Sequence, residues 1–186
     1  TDARTDPLTS VGNRRALDEI LANHMALHRR YGSDFSLAIF DVDFFKKIND
    51  EEGHLQGDRI LQDLAQLLNC EVRQTDFVGR YGGEEFIVIM PGTALENAAG
   101  FAERLREIVE ERLPITVSGG VASSLVGDSG ELILARADLA LYDAKGAGRN
   151  KVCRHDGEAI EVVISKHIPV ATKSDSPKEI LDTFDA

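Results

Sequence analysis

The sequence predicts an α/β fold: a mixed β-sheet flanked by helices, an α+β sandwich of ferredoxin-like type. Three observations carry that prediction. Short apolar runs, Phe35 to Val42 and Phe86 to Met90, have the length of buried strands rather than of helices. Amphipathic stretches with helical spacing separate them. Between two of the strand-like runs lies Arg80-Tyr81-Gly82-Gly83-Glu84-Glu85-Phe86, where paired glycines predict a tight β-hairpin turn with φ > 0.

Residues 1 to 13 are polar and hold Asp6-Pro7-Leu8-Thr9, Gly12 and Asn13, the signals of a turn or linker. From Arg14 to Tyr31, Ala16, Ile20, Leu21, Met25 and Leu27 recur at roughly helical spacing, and Gly32-Ser33 stops the helix. Phe35 to Val42 follows as a buried strand with Asp41 at its C-terminal end, where open α/β sheets tend to place their chemistry. Phe44 to Asp50 predicts a helical turn, and Glu51 to Gln56 a loop. Gly57-Asp58 then leads into a helix with Ile60, Leu61, Leu64, Leu67 and Leu68 on one face. The hairpin comes next, and its second strand ends at Met90-Pro91. Leu95 to Leu113 predicts a third amphipathic helix, broken by Pro114. Ile115 to Ala122 is another strand, whose Gly119-Gly120 mark a close backbone approach. Leu132 to Lys145 is a fourth helix, ended by Gly146 and Gly148, and Asn150 to Arg154 a last short strand. The expected organisation is a linker or turn over residues 1–13, one folded domain over 14–154, and a C-terminal tail over 155–186. That tail has one apolar run, Ile160 to Ile164, and otherwise the composition of a partly disordered segment.

Of the 186 residues, 42% are apolar, enough to build a core. The net charge of −11 excludes a basic nucleic-acid footprint or an anionic-membrane surface, but not a nucleotide held by a few placed cations and a metal. Cys70 and Cys153 are far apart and lack metal-ligand spacing, so a reducing compartment is the simpler reading. No apolar run has the length of a membrane span. Because the chain begins at Thr1 without an initiator Met, a fragment or processed product is expected.

Asp41-Val42-Asp43 ends the first strand and Glu84-Glu85 caps the hairpin. If those elements are neighbours in the sheet, several carboxylates converge at one rim. Such hard oxygen donors suit Mg²⁺ or Mn²⁺, which bind through one or two carboxylates plus substrate phosphates. Lys46 and Lys47 lie at a helical start, whose free N–H groups favour phosphate, and Lys145 and Arg149 bracket a glycine turn within reach of an anion. Asn49 and Asp58 offer the amide and carboxylate that a guanine edge requires. Taken singly, each has a plainer reading: a DxD is a turn or helix cap, a Lys pair a solvated face, a Gly-Arg-Asn a loop.

Together they form collinear motifs. Asp41-Val42-Asp43-Phe44-Phe45-Lys46-Lys47-Ile48-Asn49-Asp50, Gly53-His54-Leu55-Gln56-Gly57-Asp58, Arg80 to Phe86 and Tyr142 to Asn150 resemble, in order, the motifs of the GGDEF family. Asp6-Pro7-Leu8-Thr9 with Asn13-Arg14-Arg15 resembles that family's N-terminal motif, so the resemblance covers residues 4 to 153. It implies a fold like the palm of nucleotidyl cyclases and polymerases, and a cytoplasmic diguanylate cyclase joining two GTP into cyclic di-GMP with release of pyrophosphate. It further implies Asp41, the Val42 carbonyl and Glu84 as ligands of Mg²⁺ or Mn²⁺, two ions per active site. Glu84 would also take the proton of the attacking 3′-hydroxyl, Glu85 belongs to the same motif, and Lys46 would stabilise transition-state charge. Asn49 and Asp58 would read guanine, with His54 near the base or ribose. Backbone N–H groups at Phe44 and Phe45 would hold phosphates, and Lys145 and Arg149 the terminal ones.

A symmetric cyclic product needs two nucleotides whose 3′-hydroxyls each face the other's α-phosphate. Catalysis is therefore expected in a homodimer, with an N-terminal sensory region controlling the pairing. Arg73-Gln74-Thr75-Asp76 stands at the spacing of the family's inhibitory product site, where Arg73 and Asp76 would bind cyclic di-GMP, completed by Arg104 of a second subunit. Two positions depart from the family pattern: Ser10-Val11 in the N-terminal turn, and Gly119, where a larger apolar residue is usual and a looser core strand is expected. The rival reading is a GGDEF-like receptor that binds GTP or cyclic di-GMP without turnover. Retention of Asp41, Asn49, Asp58, Glu84, Glu85, Lys145 and Arg149 favours the enzyme.

Overall fold

The computed structural model describes residues 3–165. In chain order the elements are α1 (Arg14–Tyr31), β1 (Phe35–Val42), α2 (Phe45–Glu52), α3 (His54–Glu71), β2 (Phe77–Arg80), β3 (Glu85–Pro91), α4 (Leu95–Arg112), β4 (Val117–Ser123), α5 (Gly130–Gly146), β5 (Val152–His155) and β6 (Ile160–Val162). The sheet order is β2-β3-β1-β4-β5-β6, antiparallel throughout except for the parallel β4–β5 pair. The mixed ferredoxin-like sheet expected from the sequence is present.

β1 lies at the centre and is buried along its whole length. Its alternate residues feed two cores, as the period of a strand requires. Ala38, Phe40 and Val42 join Phe86 and Val88 of β3 against α3 and α4. Leu37 and Ile39 join Ile87 and Ile89 against α1 and α5. Asp41 is in register with Glu85 across the β1–β3 pair and continues the face that carries Ile39 and Ile87, so both carboxylates fall on the α5 side.

Local chemistry sets the element ends. Asn13 caps α1 by accepting from the Ala16 N–H at 3.0 Å, and Gly32 ends it in a left-handed conformation. Gly120 packs so tightly under α5 that a Cβ there would come within 2.0 Å of the Ala137 carbonyl oxygen. The space beside Gly119 is filled by the Phe40 ring and Val152, so the expected loosening of that strand is absent.

Three local expectations are corrected. The loop expected over Glu51 to Gln56 is absent: α2 and α3 meet at Gly53, whose φ of 88° turns the chain in a single residue. Gly82 and Gly83 do not have positive φ, so the hairpin is not closed by a two-residue glycine turn. Instead residues 81–84 span the gap, and the Tyr81 N–H donates to the Glu85 carbonyl at 2.8 Å. The expected tail is ordered over its first residues: β6 pairs with β5, and Arg154 bonds Glu161 at 2.7 Å. The rest of that tail, from residue 166, lies outside the described residues. Cys70 is exposed and Cys153 buried, and neither is in a disulfide. Among the described residues no helix is long and apolar enough to cross a membrane.

Candidate active site

The site is built at one rim of the sheet, where β1, the β2–β3 turn and the C-terminal end of α5 meet. Asp41 is buried, and its Oδ2 lies 3.0 Å from Lys145 Nζ. Burial pushes the Asp41 carboxyl above its ordinary range, against the pull of Lys145, with the like charge of Asp43 adding to the rise. Glu84 is raised by burial and then by the like charge of Asp41. Glu85 is raised for the same first two reasons. Three perturbed acids around one lysine mark a place where positive charge is in short supply.

Glu84 is fixed through its backbone, whose carbonyl accepts from the Val42 N–H at 3.2 Å. Glu85 opens β3, and its carboxylate folds back over Gly82, where a Cβ would come within 2.6 Å of Oε2. The two acids therefore do not stand side by side at an open tip, and Gly82 is needed for this close approach. Arg80 shapes the turn from below, donating from Nη2 and Nε to the Gly83 carbonyl at 2.7 and 3.2 Å. Its Nη1 bonds both oxygens of Asp6 at 3.2 and 3.4 Å. Asp6 also accepts from the Thr9 hydroxyl at 2.6 Å and the Thr9 N–H at 2.9 Å. The N-terminal turn is thus a brace for the hairpin. Arg14 of α1 adds to it, lying 3.9 Å from the Tyr81 ring centroid.

Phe44 takes a left-handed conformation, φ 56°, to turn the chain from β1 into α2. Its exposed ring carries the Arg149 guanidinium at 4.7 Å. Phe45 is buried in the core, so its side chain takes no part in the site, and the backbone N–H groups of this first turn lack intrahelical partners as at any helix start. Lys46 is exposed on that turn and has no ion-pair partner among the described residues, whereas Lys47 pairs with Glu51 at 3.8 Å. Asn49 lies one turn further, packed on Gly57, where a Cβ would come within 2.0 Å of its Oδ1. That Oδ1 is buried with no hydrogen-bond partner, an acceptor waiting for a donor. Asp58 follows Gly57 on α3, half-buried, and His54 is exposed at the start of the same helix.

The structure thus groups Asp41, Glu84, Glu85 and Lys145, sets Arg149 on Phe44, and joins Asn49 to the helix that carries Asp58. Arg73, Asp76 and Arg104 stand elsewhere, lining one cavity of about 430 Å³ between the end of α3 and α4. Arg104 there belongs to the same chain as Arg73 and Asp76. Asp76 accepts from the Arg73 N–H at 2.9 Å through Oδ2, while its Oδ1 is buried without a partner.

Among the described residues no group of three or more His, Cys, Asp and Glu is gathered closely enough to hold a metal ion by itself. Asp41 and Glu84 nevertheless fit a hard divalent cation that takes its remaining ligands from substrate and solvent, because two neighbouring carboxylates, each raised first by burial, favour a cation and neither His nor Cys is present. Sequence reasoning gave no role to Arg80 or Asp6, and counted Asp43 only among the carboxylates expected to converge at the rim. The buried Asp43 carboxylate accepts from the Ser118 hydroxyl at 2.6 Å, the Thr116 hydroxyl at 2.7 Å and the Asn150 N–H at 3.0 Å, and so ties β1 to β4 and to the turn after α5.

Comparison with known proteins agrees with this fold. The family model "Diguanylate cyclase, GGDEF domain" matches residues 3–151. The diguanylate cyclase DgcP of Pseudomonas aeruginosa is 45% identical over 158 residues, 81% of this chain and 24% of that protein. The response regulator PleD of Caulobacter vibrioides is 44% identical over 161 residues, 81% of this chain and 36% of that protein. The chain therefore spans well under half the length of these relatives. Among solved structures, the GGDEF domain of DgcB from Caulobacter crescentus in complex with c-di-GMP superposes with a TM-score of 0.80 at 38% identity, covering 83% of this chain and 96% of that one. The active GGEEF domain of a Vibrio cholerae diguanylate cyclase gives a TM-score of 0.73 at 37% identity, covering 77% and 97%.

Proposed function

This chain belongs to the GGDEF family of diguanylate cyclase domains, and on that premise we propose that it condenses two GTP molecules into cyclic di-GMP with release of pyrophosphate. The observation that carries the proposal is the Asp41–Glu84 carboxylate pair, held against Lys145 between the hairpin and α5. The Asn49 acceptor and Asp58 would receive the guanine N–H donors, with His54 beside the base or ribose. The N–H groups at Phe44 and Phe45, with Lys46, would hold phosphate, and Lys145 and Arg149 the terminal phosphates. Asp41, Glu84 and the Val42 carbonyl would hold Mg²⁺ or Mn²⁺, two ions per site; when bound, these lower the pKa of the attacking hydroxyl and neutralise charge on the leaving pyrophosphate. The 3′-oxygen of one nucleotide attacks the α-phosphorus of the other, its proton passes to Glu84, and the bond to the β-phosphate oxygen breaks. Glu85, on the same face as Asp41, helps to shape this rim.

One chain supplies groups for one nucleotide, and ring closure needs a second nucleotide presented in the opposite sense. The active species is therefore a homodimer, working in the cytoplasm where GTP is found. The cavity lined by Arg73, Asp76 and Arg104 is the proposed site of product inhibition, and the partnerless Asp76 oxygen supports it as an acceptor for guanine. The test is incubation of the purified chain with GTP and Mg²⁺ over a range of protein concentrations, followed by separation of the nucleotides. Cyclic di-GMP and pyrophosphate that form with more than first-order dependence on protein support the reading. GTP binding with no product, even when a dimerisation module is fused at Thr1, replaces it with a receptor that binds without turnover.

A further inference from the structure

Two consecutive non-glycine residues, Arg149 and Asn150, take left-handed backbone conformations with φ of 64° and 48°. Asn enters that region more readily than other L-residues, but Arg149 does not, so the pair is held there by its surroundings. Asn150 is held at three points. Its N–H donates to the buried Asp43 carboxylate at 3.0 Å. Its Oδ1 accepts from Arg106 Nη1 at 2.8 Å, and its Nδ2 donates to Glu110 Oε1 at 2.9 Å. The two α4 residues are themselves locked together: Arg106 is buried and donates to Glu110 at 2.7 Å and to Glu103 at 2.9 Å. Asp43 is equally fixed, by the Ser118 and Thr116 hydroxyls. Arg149, one residue back, donates its N–H to the Ala144 carbonyl at 3.1 Å and rests its guanidinium on Phe44.

We infer that Asn150 and Asp43 are positioning residues that hold Arg149 in its left-handed turn and thereby aim its guanidinium at the terminal phosphates of GTP. Asn150 itself touches no substrate. Its side chain is committed to α4 and its N–H to β1, so the turn is anchored to the two rigid elements that flank it. A guanidinium recognises phosphate through a fixed planar fork, and a small rotation of its backbone removes that fit. This inference rests on the proposed role of Arg149 as a phosphate ligand.

The test compares GTP with guanosine 5′-monophosphate, which lacks the terminal phosphates, each titrated by calorimetry against the purified chain with Mg²⁺. Asn150→Ala should weaken GTP binding by about tenfold and leave the monophosphate unchanged, matching Arg149→Ala. The double variant should be no worse than either single, because both changes remove the same contact. Should Asn150→Ala not fold, Asn150→Gly serves instead: glycine accepts positive φ, keeps the N–H to Asp43 and lacks only the anchor to α4, and the same loss is expected. If Arg149→Ala weakens GTP while both Asn150 variants bind as the parent does, the positioning role is overturned. Equal weakening of GTP and monophosphate overturns it too, as does a double variant whose losses multiply. If Arg149→Ala itself leaves GTP binding intact, the phosphate role of Arg149 fails first and this inference with it.

Discussion

Replacing Arg80 by Ala should disable the site without touching any residue proposed to meet GTP. Arg80 donates two hydrogen bonds to the Gly83 carbonyl and two to Asp6, and both side chains of the ion pair are largely buried. Hydrogen bonds from a charged donor are worth about 1.5–3 kcal/mol each, but these four share one guanidinium and are not additive. A net loss of about 2–3 kcal/mol is expected, which lowers the melting temperature of a chain this size by about 4–12 °C. The larger effect is on chemistry. Without the guanidinium the turn that carries Glu84 loses its support, and a displacement of about 1 Å at a reacting group costs on the order of 100-fold in rate. The assay is thermal denaturation beside initial rates of pyrophosphate release at saturating GTP. Arg14→Ala is the control: that residue lies on the Tyr81 ring and reaches the Tyr81 carbonyl only at 3.4 Å, so it should cost less than about 1 kcal/mol. Acid separates the ion pair from the rest. Burial by itself would raise the Asp6 carboxyl, but Thr9 and Arg80 outweigh it and hold the group below its ordinary range. A depressed carboxylate contributes stability that is present above the unfolded-state value of about 3.9 and is lost as pH falls through the native value. The stability gap between parent and Arg80→Ala should therefore narrow in strong acid, leaving the share that the Gly83 hydrogen bonds contribute. A folded Arg80→Ala chain that turns over within threefold of the parent would refute the bracing argument.

The carboxylates at the rim carry the opposite sign. Asp41, Glu84 and Glu85 are raised, so the stability they contribute to the metal-free protein is present below about pH 4 and lost as pH rises through their native values. Glu84→Gln should therefore raise the melting point in EDTA at pH 8, by no more than the equivalent of about 1 kcal/mol because solvent screens the site, while abolishing turnover; a lower melting point would count against a repulsive cluster. Arg73→Ala should relieve inhibition by added cyclic di-GMP and leave the uninhibited rate unchanged, and an unaltered inhibition curve would remove the cavity from the regulatory scheme. Gly120→Ala forces a Cβ against the Ala137 carbonyl and the Leu141 nitrogen and should cost more than about 3 kcal/mol, whereas Gly83→Ala meets open space and should cost less than about 0.5 kcal/mol, both read from urea midpoints.

The parts of the fold legible in the sequence are those whose causes are local. α1 runs from Arg14 to Tyr31 as expected because Asn13 and Gly32 are strong caps beside a periodic apolar face. β1 was legible because a run of eight residues, seven of them apolar or small and one an acid near its end, suits a central strand. The junction of α2 and α3 was not. His54 and Leu55 are exposed and Gln56 is half-buried, so residues 54–56 add no apolar residue to a buried face; periodicity gave no signal, and only the φ of Gly53 sharpens the break. The hairpin turn was misjudged for a different reason. Its shape is set by a guanidinium that also bonds Asp6, 74 positions earlier, and no local turn rule includes such a partner. The acids and cations of the rim could be named from the chain because their residue types announce a chemistry. The anchoring role of Asp43 was not legible because its partners lie 73, 75 and 107 positions away and are two hydroxyls and a backbone N–H, which announce nothing.

The charge distribution explains why this rim needs partners. Three raised carboxylates share Lys145, in a chain whose net charge is already −11. Under the proposed function the same lysine must turn to the terminal phosphates, and it cannot remain 3.0 Å from Asp41 while it does so. Release of Lys145 would leave a buried carboxylate without its counter-charge, a state far more costly than the pair it replaces. A divalent cation held by Asp41 and Glu84 would remove that cost and would also offset the charge of the incoming triphosphate. Metal and nucleotide should thus favour one another at this rim, because each supplies what the other's arrival takes away. The phosphates bring ligands that two carboxylates alone do not provide, and the cation frees the lysine for the phosphates.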